Sequence, residues 1–312
     1  MAKKKEIEII DDGCNYMSEE ELAAFGKMAG PTRFDPTKVK NSILNVQYGT
    51  LPEQKLDIYL PESGKAPFPL MIYVHGGGWV MGSKTECFLD GMIGLLDHGY
   101  ALISVDYRLA SRTLMFPEFI FDVKTAVRWA RAHAEEYGFD PERFAMAGDS
   151  AGGHLTQMIG YTAGHPEYAG EEYGWPGVCD KVQAICSMYG PSTLDEPTTR
   201  FFRESGVPRP RREDPNSTHY DFVFRTNDLG LLKLISPISF ITKDIPPTLL
   251  LHGKQDGVVP YQQSTILADR IREVCGDDRV ELIIYEDRNH SDYAFNTKEN
   301  SDTIAAFLKK HF

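Results

Sequence analysis

The chain has 312 residues, of which 42% are hydrophobic and 25% charged, so it can bury a sizeable core and lies far from the composition of disordered chains. Its 45 acidic side chains outnumber 33 basic ones, giving a formal charge of −12 that opposes phosphate backbones and anionic lipid. A nucleic-acid binder is therefore not expected, and no apolar run approaches the roughly 18 residues that a membrane span requires. The first residues, MAKKKEIEIIDDG, begin basic, but Glu8, Asp11 and Asp12 interrupt the apolar stretch and leave no secretory core. Cysteines 14, 87, 179, 186 and 275 contain no CxxC pair and are read as reduced thiols, so a cytoplasmic location is expected. Ser18 followed by Glu21 is a capping box, and Leu22, Phe25 and Met28 share a side of the short helix it would open. That helix makes residues 1–40 an N-terminal helical extension.

From residue 41 onward, short apolar runs alternate with longer helical patterns, the signature of βαβ units and a mostly parallel sheet. Ile43 to Tyr48 and Lys55 to Leu60 alternate in polarity as antiparallel edge strands do. Leu70 to Val74, Ala101 to Val105, Arg143 to Ala147, Val182 to Ser187, Thr248 to Leu251 and Val280 to Tyr285 are nearly continuous apolar strands, for eight in all. Ile120, Val123, Val127, Ala130 and Ala134 recur at helical spacing and predict a helix packed on that sheet. We read residues 1–312 as one α/β domain. The segment 192–235 falls outside this rhythm. It interleaves Arg200, Arg203, Arg209, Arg211 and Arg212 with Phe201, Phe202, Tyr220, Phe222 and Phe224, and suits either a lid-like insertion or a solvated loop.

The strongest local signal is Gly148-Asp149-Ser150-Ala151-Gly152-Gly153, a G-x-S-x-G match set between the strand RFAMA and the helical pattern HLTQMIGYT. A sharp strand-to-helix turn needs small neighbours, and it would raise the Ser150 hydroxyl at the sheet edge and the N-terminus of a helix. Upstream, His75-Gly76-Gly77-Gly78-Trp79 follows the strand LMIYV and leaves bare backbone N–H groups for a developing oxyanion. Gly76, Gly77 and Ala151 are the expected donors. Trp79 and Asp149 are candidates for touching substrate, although the Asp149 side chain also fits a hydrogen-bond network turned away beside the nucleophile.

A serine hydroxyl needs a histidine base and a carboxylate that orients it. His290, in DRNHSDY after the last strand, and Asp256, in HGKQDGVVP after the preceding one, fall in loops at the same sheet edge as Ser150. His252 and His154 are read as hydrogen-bonded or buried structural residues, and His75 as a group that holds the glycine turn. Asp287 and Asp292 lie too close to His290 in sequence, and Glu286 is a weaker alternative for the acid.

The GDSAGG elbow, the HGGGW turn and the VDYRL segment resemble the α/β hydrolase superfamily, in particular the hormone-sensitive-lipase-like carboxylesterases and acetyl esterases. LHGKQDGVVPYQQS is instead similar to acetyl xylan or feruloyl esterases and to prolyl oligopeptidase catalytic domains, and YRLASRTLMFPE is longer than the usual run. The resemblance implies the α/β hydrolase fold, an acyl-enzyme mechanism with neither metal nor cofactor, and a small-molecule ester as substrate. The same machinery would serve a serine amidase, peptidase or formamidase. A non-catalytic ligand-binding relative would normally lack the serine or the histidine. Homo-oligomerisation is left open.

Overall fold

The computed structural model describes residues 34–110, 114, 116–194 and 229–312. The expected helix after Ser18 and most of the 192–235 insertion lie outside them. Eight strands form one sheet: β1 (Ser42–Gln47), β2 (Lys55–Tyr59), β3 (Phe68–Val74), β4 (Ala101–Val105), β5 (Phe139–Asp149), β6 (Ala184–Met188), β7 (Thr248–Gly253) and β8 (Val280–Tyr285), in the order β1-β2-β4-β3-β5-β6-β7-β8. Strands β4, β3, β5, β6, β7 and β8 run parallel, while β2 is antiparallel to both β1 and β4.

Two expectations change. β2 is an interior strand, buried from Leu56 to Tyr59, because β1 covers its outer side, so only β1 keeps the alternating exposure of an edge. β5 begins earlier than expected and runs through to Asp149, directly before the turn at Ser150.

Seven helices are labelled in chain order: α1 (Leu89–Ile93), α2 (Glu118–Ala132), α3 (Ala134–Tyr137), α4 (Ala151–Tyr161), α5 (Leu229–Leu234), α6 (Gln262–Cys275) and α7 (Lys298–His311). The predicted stripe Ile120, Val123, Val127 and Ala130 is fully buried on α2, and Ala134 opens the separate turn α3. Alternation along the parallel strands divides the core in two. Leu70, Ile72 and Val74 face α2, α4 and α6 through residues such as Val123, Leu155 and Leu267, whereas Met71 and Tyr73 face α1 and α7 through Met92, Ile304 and Phe307. Among the described residues no helix is long and apolar enough to cross a membrane.

The β3–β5 register pairs Val74 with Gly148, so the glycine turn after β3 and the turn after β5 leave the sheet side by side. Helix α4 then packs its first turn directly on the end of β3. A Cβ on Gly152 would run into the carbonyl oxygens of Val74 and His75, backbone that cannot swing aside. Gly152→Ala should therefore destabilise the fold by on the order of 3 kcal/mol, the cost of overpacking against a rigid neighbour. Urea unfolding would measure this, and an unchanged midpoint would contradict the close packing of α4 on β3.

Candidate active site

Ser150 takes φ 50° and ψ −117°, a conformation rare for a residue with a side chain, and its N–H donates to the Met188 carbonyl of β6 at 2.9 Å. The turn aims its hydroxyl at the loops that follow β7 and β8. Ser150 Oγ lies 3.0 Å from His290 Nε2, and His290 Nδ1 lies 2.7 Å from Asp256 Oδ2. With Nδ1–H donating to the carboxylate, Nε2 keeps a free lone pair for the serine proton. Tyr189, at the end of β6, presents an edge-to-face ring at 4.9 Å from the His290 imidazole and limits its tilt.

Asp256 is buried, and its Oδ1 accepts the backbone N–H groups of Val258 at 2.8 Å and Val259 at 2.7 Å. Burial alone would raise its pKa. The neighbouring His290 and the hydrogen bonds from His252 and His290 outweigh that and hold the carboxyl well below the ordinary carboxylate range. His252 was expected to be structural, and it is hydrogen-bonded: Ser264 Oγ donates to its Nδ1 at 2.7 Å, and its Nε2–H donates to the Val259 carbonyl at 2.9 Å. The same Nε2 also reaches Asp256 Oδ2 at 3.2 Å, a second imidazole on the acid. The acid and base loops are tied as one unit by Lys254 N–H to the Tyr285 carbonyl, Gln255 N–H to the Arg288 carbonyl, and Gly257 N–H to Asn289 Oδ1. The competing carboxylates are occupied elsewhere: Glu286 pairs with Lys254 at 2.8 Å, and Asp292 caps the turn at Ala294.

The glycine turn corrects one assignment. The Gly76 N–H is already spent, donating to Asp149 Oδ1 at 2.9 Å and to Glu86 Oε1 at 3.1 Å, so Gly76 is not an open oxyanion donor. The N–H groups of Gly77, Gly78 and Ala151 find no acceptor among the described residues. Gly77, at φ 103°, and Gly78, at φ 58°, take left-handed conformations, and the Gly77 carbonyl accepts from Val80 and Met81 to close the turn.

Both candidate substrate contacts, Asp149 and Trp79, are buried. Asp149 is buried, and besides Gly76 N–H it accepts the Tyr73 hydroxyl at 2.7 Å, which fits the network reading. Trp79 is 2% exposed and its indole N–H donates to His154 Nδ1 at 3.3 Å, while His154 Nε2–H donates to the Ile235 carbonyl. The tryptophan thus pins the glycine turn to α4. His75 stacks on Tyr107 at 4.3 Å and donates from Nδ1 to the Gly76 carbonyl, the holding role expected of it. Sequence reasoning missed Tyr73 and Glu86, since neither belongs to a motif; only the position of Tyr73 on β3, beside the elbow strand, could have suggested it. Among the described residues no group of three His, Cys, Asp or Glu side chains is placed to hold a metal ion.

The BD-FAE family profile, which describes an α/β hydrolase family, matches residues 56–271. The chain belongs to that family. Esterase LipC of Mycobacterium tuberculosis is similar over 237 residues at 34% identity, covering 73% of this chain and 55% of that protein. An isoprenylcysteine alpha-carbonyl methylesterase of Arabidopsis thaliana is 24% identical over 259 residues, covering 83% of this chain and 58% of its own length. The chain thus spans about half the length of the curated relatives it matches. A truncated carbohydrate esterase from gut microbiota superposes with a TM-score of 0.74 at 25% identity, covering 90% of this chain and 99% of that one. The α/β hydrolase fold is shared with these family members and neighbours.

Burial holds the His154 pKa down, to about 4, against the opposing hydrogen bond to Ile235. In the unfolded chain this histidine takes up a proton near its ordinary value of 6.5. Its contribution to stability is therefore complete above that value and is lost as pH falls from 6.5 to about 4, by roughly 3 kcal/mol over the window. Urea midpoints measured across that range should fall less steeply for His154→Gln than for wild type. Parallel curves would show that His154 is not held neutral.

Proposed function

We propose that the chain is a serine carboxylic-ester hydrolase acting on small-molecule esters of short, acetyl-type acyl groups through an acyl-enzyme. The observation that carries this reading is the continuous path from Ser150 Oγ through His290 to Asp256, at 3.0 and 2.7 Å. His290 Nε2 takes the serine proton as Oγ attacks the ester carbonyl carbon. The imidazolium that forms is held by Asp256, itself kept ionised by four donors. Gly77, Gly78 and Ala151 N–H groups receive the oxyanion, each such donor contributing about 3 kcal/mol to lowering the barrier. The proton then passes from Nε2 to the departing alcohol. Water, deprotonated by the same nitrogen, attacks the acyl carbon and releases the acid and free Ser150. The esterase names of the curated relatives and the carbohydrate-esterase neighbour support ester chemistry, and the acetyl preference is our extension of them.

Ser150→Ala should lower turnover of p-nitrophenyl acetate by more than about a thousandfold with the fold unchanged by circular dichroism. Asp256→Asn should cost about three to four orders of magnitude, because the amide neither fixes the imidazole tautomer nor stabilises its cation. Side-by-side assay of acetyl and longer esters and an aminoacyl anilide checks the substrate class. Faster cleavage of the anilide than of the acetyl ester would move the assignment to an amidase.

A further inference from the structure

The glycine turn rests on two carboxyl groups that meet at one point. The Tyr73 hydroxyl lies 2.7 Å from Asp149 Oδ1 and 2.8 Å from Glu86 Oε1, and the Gly76 N–H points at the same two oxygens. Only Gly76 fits there, because a Cβ would run into Asp149 Oδ2. Tyr73 and Gly76 bring one hydrogen each. Two ionised carboxylates converging on two hydrogens would face each other as like charges in a site with little water, whereas one further proton between them removes the repulsion and supplies the missing donor.

Among the described residues no cation relieves the pair. The titratable groups that face it are Tyr73 and His75 from β3 and its turn, Cys87 beside Glu86, Tyr107 after β4 and Tyr189 after β6. Tyr and Cys carry no positive charge, and burial lowers the His75 pKa, keeping it neutral. Lys84, two residues before Glu86, is engaged with Asp57 and Asp106. Burial, and then the charge of Asp149, raise the Glu86 pKa well above the ordinary glutamate value.

Resting on the esterase reading, we propose that Glu86 holds a proton against Asp149, that Glu86 is thereby a positioning residue for the oxyanion turn, and that loss of this proton limits turnover at alkaline pH. With the proton in place, Gly76 N–H is held by a singly charged pair, which fixes the plane of the next peptide and hence the Gly77 N–H. When base removes the proton, a second negative charge appears directly behind the turn. That charge pushes the two carboxyls apart, releases Gly76 and opposes the oxyanion itself. Glutamine at position 86 supplies a permanent neutral donor in the same shape and removes the titration.

The test is the pH dependence of kcat and KM for p-nitrophenyl acetate from pH 6 to 10 in wild type, Glu86→Gln and Glu86→Ala, with Ser150→Ala as reference. Wild type should lose kcat on the alkaline side, with KM little changed, and Glu86→Gln should keep its kcat through that range. Glu86→Ala should lower kcat about tenfold at neutral pH by loosening the turn, and Glu86→Gln should recover most of that loss. Should Glu86→Ala fail to fold, infrared difference spectra supply the second measurement: a protonated-carboxyl C=O band in wild type at neutral pH, absent in Glu86→Gln. An alkaline limb identical in wild type and Glu86→Gln, or no limb in either, would overturn the proposal. Turnover surviving in Ser150→Ala would instead overturn the esterase reading on which it rests.

Discussion

The backbone of Ser150 stands in a conformation that an isolated chain would avoid at a cost of about 1–3 kcal/mol, and the rest of the site depends on the sheet enforcing it. Two contacts do so. The Ser150 N–H is drawn to the Met188 carbonyl on one side, and on the other Gly152 lets α4 press against the Val74 and His75 carbonyls of β3. The strain is offset by the buried core on both faces of the sheet, where Val74 and Leu155 on one side and Met71 and Leu251 on the other are fully excluded from water. Because β3 and β5 are neighbours in register, the same packing sets the glycine turn beside Ser150, and the Trp79 to His154 hydrogen bond then locks that turn onto α4.

Charge is organised around a second fixed point, Asp256. Its two oxygens receive two backbone N–H groups and two imidazoles, so the carboxylate is oriented before any substrate arrives. A preorganised acid of this kind stabilises an imidazolium without the reorganisation that water would require. His290 is 34 residues away in sequence, yet Asn289 Oδ1 accepts both Gly257 N–H and His290 N–H and so ties the two loops together. The site therefore combines a strained, sheet-anchored serine with a histidine–carboxylate pair held by short loop-to-loop hydrogen bonds.

Much of this was legible in the sequence because the signals were local. Uninterrupted apolar runs marked the buried parallel strands, and small residues around Ser150 marked a turn with no room for side chains. Asp256 and His290 could be chosen because the strands before them place both loops on one edge. What sequence could not supply were contacts between segments without motifs. Gly76 looked like a donor by position in HGGG, but Glu86 is ten residues away in a loop of no pattern, and its carboxyl, with that of Asp149, occupies the very N–H that seemed free. Trp79 looked like a substrate contact for a similar reason, and only the fold shows its indole turned to His154. β2 was misplaced because polarity alternation does not reveal that a further strand covers it.

The central claim is that Ser150 is the nucleophile and that its oxyanion is received by Gly77, Gly78 and Ala151 while Gly76 stays bound to the carboxyl pair. A crystal structure of the adduct with a p-nitrophenyl alkylphosphonate tests it most directly, since the phosphoryl oxygen occupies the place of the oxyanion. The account predicts phosphorus bonded to Ser150 Oγ, with that oxygen within hydrogen-bond reach of the Gly77, Gly78 and Ala151 N–H groups and Gly76 N–H still on Asp149. Phosphorus on another side chain, or a phosphoryl oxygen bound by Gly76 with the carboxyl pair displaced, would contradict it.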